Sequence, residues 1–234
     1  MNSNIEKNIN SKVWDKLFSS KSWGKYPSIQ LVKFISSKYY NMEDRSSIKI
    51  LEIGCGPGGN LWYLAREGFK VSGIDFSEVA CNQLVGRFES DSLSNQIDKL
   101  IVGDYSSAID SFMPDYFDAV VDVESLYCNS FDKTKNIINQ LANKLKIGGY
   151  IYSQTFTEES WGFDESVDEY SYHEIIPREG PMANTGLCRY TTRDDIDHLY
   201  QNSLLQIEKI EKQVLYLENA KSISEWIIIS KRIK

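Results

Sequence analysis

Six residues in the first half of the chain have the types and the spacing to grip a polar ligand: Glu52, Gly54, Gly56, Gly58, Asp75 and Asp104. Gly54, Gly56 and Gly58 alternate within ILEIGCGPGGN (50–60). Glycine reaches positive φ without strain and lets main chain approach a bound molecule closely. Glu52 stands two positions before the first of them, Asp75 closes the run FKVSGID (69–75), and Asp104 follows KLIVG (99–103). A carboxylate placed like Asp75 can accept two neighbouring hydroxyls, and one placed like Asp104 can face the edge of a base.

These groups converge only if the chain folds as strand, turn and helix in alternation. IKILEI (48–53) is an apolar-rich run suited to a buried parallel strand. The glycine turn follows it, a helix begins at Leu61, and Gly68 ends that helix. Further strands are expected at 69–74, 99–103, 117–123 and 150–156, with helices at 78–88 and 134–145, the second closed by Gly148-Gly149. Such alternation implies a right-handed, doubly wound parallel sheet. In open sheets of this kind ligands bind beyond the carboxyl ends of the strands. The three acids and the glycine turn fall on that edge.

The ends of the chain differ from this core. Val13, Trp14, Leu17 and Phe18 share a helical face, and a second helical pattern starts at Pro27 with Leu31, Val32, Phe34 and Ile35 inside. With the link SKSWGKYPS (20–28) they form an N-terminal helical lid over residues 1–47. Residues 157–190 have weak periodicity and are too long for a bare connection, which is the mark of a lid or binding loop. A helix over 191–202, capped by Thr192, leads to strand candidates at 204–218 and 224–232. Two late strands without a helix between them imply an antiparallel hairpin at the sheet edge. The expected fold is α/β, with a mostly parallel seven-stranded sheet in one domain: lid 1–47, core 48–156, second lid 157–190, helix and hairpin 191–234.

Composition narrows the function classes. The chain has 234 residues, with 26 Lys and Arg against 33 Asp and Glu, for a formal net charge of -7. That balance opposes nucleic acid and anionic membrane as partners, because both need clustered Lys and Arg. The four cysteines contain no C-x-x-C pair, so neither a zinc site nor a disulfide framework is expected. No apolar stretch has signal-peptide or membrane-span character, and a soluble cytoplasmic protein, monomer or homodimer, is expected.

In order along the chain, LEIGCGPGGN, VSGIDFS (71–77), VGDY (102–105), YFDAVVDV (116–123) and LKIGGYIYSQTF (145–156) resemble the class I S-adenosylmethionine-dependent methyltransferases. The resemblance spans residues 48–156, with GLCRYTTRDDIDHLY (186–200) similar to the family's segment before its C-terminal hairpin. It implies S-adenosylmethionine as cofactor and S-adenosylhomocysteine as product. Gly54, Gly56 and Gly58 would pass under the methionine part, and Glu52 would steady its amino end. Asp75 would hold the ribose hydroxyls, with Phe76 beside the adenine. Asp104 would accept from the adenine amino group and Tyr105 would flank the ring. Main chain near Asp122 and Val123 would meet the ammonium.

Two other readings stay open. The glycines also satisfy G-x-G-x-x-G through Gly54, Gly56 and Gly59, the pattern of a nicotinamide-dependent oxidoreductase. Such an enzyme would need a second catalytic region, whereas the last third reads as lid, helix and hairpin. A cofactor-binding scaffold without transfer is the other.

The acceptor is less defined. DVESLYCN (122–129) lacks the [N/D]-P-P-[Y/F] tetrapeptide of methyltransferases acting on base or glutamine amino groups. SWGKYPS (22–28) resembles a segment found in some methyltransferases of small metabolites and surface sugars. The expected acceptor is therefore an oxygen of a small polar metabolite, such as a sugar or a nucleotide-linked precursor of a surface polysaccharide, with nitrogen or carbon methylation as alternatives. A hydroxyl acceptor gains from a general base. His173, in the expected lid, is the first candidate, within a few ångströms of the transferred methyl, and Glu124 and Tyr127 are the others. Trp23, Tyr26, Trp161 and Tyr172 are expected to contact the acceptor. The acidic pairs Asp164-Glu165, Asp168-Glu169 and Asp194-Asp195 read as solvated charges, and no metal is expected.

Overall fold

The computed structural model describes residues 3–164 and 170–234, with side chains from residue 12 onward. Helices α1 (Ser3–Ser20) and α2 (Ile29–Tyr39) come first. Then β1 (Lys49–Ile53), α3 (Gly59–Arg66), β2 (Lys70–Asp75), α4 (Glu78–Ser90), β3 (Ile97–Val102) and α5 (Tyr105–Ala108) alternate. β4 (Phe117–Val123), α6 (Phe131–Lys144) and β5 (Leu145–Phe156) complete the core. A short ladder of β6 (Glu174–Ile175) and β7 (Cys188–Arg189) precedes α7 (Arg193–Tyr200), β8 (Leu205–Tyr216) and β9 (Ser222–Arg232).

The main sheet has seven strands in the order β3-β2-β1-β4-β5-β9-β8. β1 to β5 are parallel neighbours, and β9 runs against both β5 and β8. This is the expected doubly wound sheet with its C-terminal antiparallel hairpin.

Strand alternation sends side chains to two cores. Leu51, Ile53, Ile74 and Val120 face α6 and α7 through Ile137, Ile138, Leu141, Ile196 and Leu199. Ile50, Val71, Ala119 and Val121 face α2, α3 and α4 through Leu31, Phe34, Leu64, Leu84 and Phe88. Of the two helices expected as an N-terminal lid, α2 is thus built into the core. α1 lies over α4, where Asp15 accepts from the Ser77 hydroxyl at 2.5 Å.

Three boundaries differ from expectation for local reasons. Ser28, not Pro27, is the residue before α2. Ser130 caps α6, accepting from the Lys133 N–H, so the helix begins at Phe131, three residues before the expected Thr134. β5 begins at Leu145 and passes through Gly148-Gly149 rather than starting after them. A β-carbon on Gly149 would lie 2.9 Å from the Asp118 carbonyl, so only glycine lets β5 pass β4 there. Thr192 caps α7 as expected, in a reciprocal capping box with Asp195.

Candidate active site

The parallel strands end on one edge, and a cleft of about 1000 Å³ opens there. Its floor is the turn after β1. The Gly54 and Cys55 N–H groups donate to the Ile74 carbonyl at 2.7 and 3.2 Å, which pins the turn to β2. Gly54, Gly56 and Gly58 all have positive φ, 66°, 50° and 81°. A β-carbon at Gly54 would fall 2.0 Å from Ser125 Oγ, and one at Gly58 would fall 2.6 Å from Leu84. At Gly56 it would meet only Phe18, at 3.6 Å. Gly54 and Gly58 are therefore demanded by packing, and Gly56 by its backbone alone.

Asp75 is fixed by main chain. Its Oδ2 accepts from the Gly56 N–H and its Oδ1 from the Ser77 N–H, both at 2.8 Å. Burial raises its carboxyl above the usual range, and those two amides oppose the rise. Glu52, 1% exposed, takes Asn60 Nδ2 on Oε1 at 2.6 Å. Its Oε2 is buried with no hydrogen-bond partner. Burial pushes this carboxyl up to about 8, with Asp75 and Asp122 adding like charge. An orphaned carboxyl oxygen on the wall of a cleft is suited to an incoming cation.

Asp104 caps α5 through the Ser106 N–H (2.9 Å) and pairs with Lys133 Nζ at 3.2 Å. Burial acts to raise its carboxyl, but Lys133 and Ser106 outweigh that and hold it low. Phe76 and Tyr105 stand with ring centroids 5.9 Å apart on the same wall, and the Tyr105 hydroxyl meets Ser125 Oγ at 2.6 Å.

Asp122 does not line the cleft. Its Oδ1 accepts from the Ser125 and Leu126 N–H groups at 3.1 and 3.0 Å, and its Oδ2 accepts from the Ser153 hydroxyl. The side chain holds the turn after β4; the neighbouring Val123 and Glu124 are what reach the cleft.

Among the residues expected at the acceptor, Trp23, Tyr26, Glu124 and Tyr127 line the cleft. Trp23 stacks edge-on against Trp14 and Phe18 of α1, which closes the cleft over Gly56. His173, Trp161 and Tyr172 do not line it. The His173 ring stacks on Phe163 at 5.7 Å and on Tyr172 at 4.3 Å. Tyr172 donates to Asp195 of α7 at 3.0 Å, and Trp161 sits under Lys221 Nζ at 4.0 Å. Tyr172 and His173 stand just before β6, whose Glu174 is the residue turned to the cleft, and Trp161 packs by the β8–β9 turn, where its main-chain N–H donates to the Ser222 carbonyl at 2.7 Å. From the segment expected as a second lid, Tyr170, Ser171, Glu174, Met182 and Thr185 line the cleft. Of the acidic pairs, residues 165, 168 and 169 lie outside the described residues. No group of three or more His, Cys, Asp or Glu side chains arranged for a metal occurs among the described residues.

Residues 22–209 match the model of a methyltransferase domain. The chain belongs to this methyltransferase family. No curated protein sequence matches the methyltransferase significantly. Its fold is shared with solved structures. One is an S-adenosylmethionine-dependent methyltransferase from Methanosarcina mazei, with TM-score 0.65, 22% identity, and coverage of 79% of this chain and 92% of that one. Another is the 1,6-didemethyltoxoflavin N1-methyltransferase of Burkholderia thailandensis, with TM-score 0.67, 11% identity, and coverage of 98% and 88%. A third is the magnesium protoporphyrin IX methyltransferase of Synechocystis, with TM-score 0.66, 13% identity, and 97% coverage of each chain. No helix among the described residues of the methyltransferase is long and apolar enough to cross a membrane.

Several cleft residues carried no signal in the sequence: Ser28, Asn60, Ser125, Asn129, Lys133 and Glu174. Asn60 and Ser125 follow the motif strands closely and could have been found from that position. Ser28 and Glu174 are single polar residues in irregular segments, with no pattern to distinguish them.

Proposed function

We propose that the methyltransferase passes the methyl group of S-adenosylmethionine to an oxygen of a small, uncharged polar metabolite of the sugar class. The cofactor half fits that molecule on this chain's own residues. The orphaned Glu52 Oε2 would take the ammonium of the methionine part. Asp75, oriented by the Gly56 and Ser77 amides, would accept the ribose hydroxyls. Phe76 and Tyr105 would flank the adenine, and Asp104, shared with Lys133, would meet its amino group. The bound cofactor supplies a sulfonium methyl already activated for displacement, so the protein's work is alignment, water exclusion and proton removal.

The observation that carries the acceptor class is the lining beyond the glycine turn. Ser28, Asn129, Ser171 and Thr185 offer hydroxyl and amide groups, Tyr127 and Met182 offer apolar surface, and Glu124 and Glu174 offer carboxyls. Lys133, the cation on the cleft wall, is held by Asp104 at the opposite end. A nucleotide diphosphate would face carboxylates here, so an acceptor free of phosphate fits better than a nucleotide-linked one. The same carboxylates favour a second reading, an amine that binds protonated and gives its proton to Glu124 before its nitrogen attacks the methyl. Glu124 and Tyr127 are the base candidates that reach the cleft, and His173 is not; burial holds the Tyr127 phenol well above its usual range, which favours Glu124.

The test is incubation with methyl-labelled S-adenosylmethionine and three acceptor panels: neutral sugars, nucleotide-linked sugars and amines. Label in the neutral sugars is the expected result. Label in nucleotide-linked sugars alone would refute the charge reasoning, and binding without any transfer would point to the scaffold.

A further inference from the structure

Glu124 is held in place by one residue acting twice. Its φ is 52°, a left-handed conformation that its β-carbon opposes. The Glu124 N–H donates to the Gln154 carbonyl at 2.9 Å. The side chain of the same Gln154 then donates from Nε2 to Glu124 Oε1 at 3.3 Å and to Glu225 Oε1 at 2.8 Å. Which way that amide points is fixed by its other end. Gln154 Oε1 accepts from the Ser28 hydroxyl at 2.7 Å and from the Tyr152 hydroxyl at 3.3 Å. With its oxygen occupied twice, its two N–H groups must face the carboxyls.

Glu225 lies on β9, opposite Phe156 of β5, and is buried. It does not line the cleft, whereas Glu124 opens into it. The two carboxyls form a pair in which one meets the acceptor and the other is sealed behind it. Glu124 is exposed and lines the cleft.

We propose that Glu225 and Gln154 are positioning residues that set Glu124 as the general base for the acceptor. The proposal rests on the reading above that the acceptor is a hydroxyl. As the acceptor oxygen bonds the methyl carbon, the carbon–sulfur pair stays with S-adenosylhomocysteine and the hydroxyl proton passes to Glu124. Glu225 makes Glu124 a stronger base by like-charge repulsion, and Gln154 limits that effect by donating to the charged form. Crowding at the foot of the cleft and the neighbouring Glu225 push the Glu124 carboxyl above its usual range, while the residue itself still opens to the cleft. The other groups around it are Asp122 on its own strand, Tyr127 after that strand and Tyr152 on β5, with Glu174 of β6 on the same cleft.

The pair predicts opposite shifts from two near-isosteric changes. Protein labelled with 13C at glutamate Cδ is titrated by NMR with S-adenosylhomocysteine bound, and the Glu124 resonance is assigned by its loss in Glu124→Gln. The Glu124 midpoint is expected to fall by about one pH unit in Glu225→Gln, where the like charge is gone, and to rise in Gln154→Met, where the donor is gone. Unchanged affinity for S-adenosylhomocysteine by calorimetry shows that each variant is folded. A midpoint that Glu225→Gln leaves in place, or that Gln154→Met lowers, overturns the positioning role. The base reading fails separately: if Glu124→Gln still transfers label to the acceptor pool at the parent rate, Glu124 is not the base, whatever its midpoint does.

Discussion

The two halves of the cleft are built with different bonds. The cofactor half is made by main chain acting over short distances. Gly54 and Cys55 donate to Ile74 and Gly56 donates to Asp75 across the β1–β2 pair, and Ser77 donates to Asp75 two residues back. The acceptor half is made by side chains from remote parts of the sequence. Ser28 reaches Gln154 across 126 positions, and Gln154 reaches Glu225 across 71. The first half is as rigid as the sheet that carries it. The second is assembled only when both ends of the chain are in place, and single polar side chains can alter it without disturbing the sheet.

The sharpest way to break this contrast is at the residue the halves share. Gly54→Val would drive a β-carbon into Ser125 Oγ, 2.0 Å away, and towards the Tyr105 hydroxyl at 2.8 Å, at a φ of 66°. Both the turn and the start of the acceptor wall must move. Calorimetry is expected to detect no cofactor binding, with a stability loss of several kcal/mol from overpacking and backbone strain. Gly56→Val has room beside Phe18 and only backbone strain. It should fold yet bind cofactor poorly, and normal binding would show the turn to be only a connection.

Next in size are the carboxylates, one from each half. Glu124→Gln should lower kcat by about 10²–10⁴-fold, the usual worth of a general base. Cofactor affinity should stay as in the parent, because Glu124 makes no bond to the glycine turn. Asp75→Ala should do the reverse. It removes a charged acceptor worth about 1.5–3 kcal/mol, so cofactor affinity falls by about 10- to 150-fold. It also leaves the Gly56 and Ser77 amides unpaired, so some thermal stability goes with it. If Asp75→Ala lowered kcat alone, the division of the cleft would be wrong.

That division also explains what the sequence could reveal. Gly54, Asp75 and Asp104 act at fixed offsets from strand ends, so a periodic pattern locates them. Asp122 belongs to the same pattern, where the expected cofactor contact is through main chain; its carboxylate turns to Ser153 and the amides of the following turn. Strand position alone does not say which side of the strand end a side chain takes when the strand leaves the sheet in a tight turn. Residues 157–190 contain Tyr172, His173 and Glu174 in succession, and only Glu174 lines the cleft. A segment with no repeat, stitched by a ladder two residues long, gives no register from which to choose among neighbours. Glu225 is invisible for a further reason. SEWIIISKR reads as an ordinary edge strand, and only the insertion of β9 beside β5 buries its acidic residue next to Glu124.

A pH measurement separates the halves more finely. Glu52 is raised to about 8 by burial, so at neutral pH its carboxyl is mostly protonated before the cofactor arrives. An ammonium at Oε2 would draw the group back to its charged form. Cofactor binding near pH 7 should then release up to about one proton, read from the dependence of binding enthalpy on the ionisation enthalpy of the buffer. Affinity should rise with pH through the same range. The sign for folding is opposite. A carboxyl raised in the folded state favours the unfolded chain as pH climbs from 4.5 to about 8, so unliganded protein loses stability across that window and bound cofactor removes the loss. Binding without proton release would take Glu52 out of the ammonium site.

The smallest expected effect concerns His173. It is one of only two histidines in the chain, and by type it is the natural candidate for a base at neutral pH. Its surroundings assign it a different role. The ring lies between Phe163 and Tyr172, and its carbonyl accepts from the Tyr190 N–H at 3.1 Å, which joins the two arms of the second lid. Tyr190 packs with Tyr127, Phe156 and Met182 in the cluster under that lid. His173 therefore supports the lid from outside the cleft. His173→Ala should cost about 1 kcal/mol of ring contact, a fall in Tm of about 2–4 °C for a chain of this size. Its kcat should remain within about twofold of the parent, far from the 10²–10⁴-fold of a lost base. The main-chain bond to Tyr190 survives the substitution, so the lid keeps its anchor. A large loss of kcat with unchanged Tm would move the proton acceptor from Glu124 to His173, and would require the second lid to close in a different register when acceptor binds.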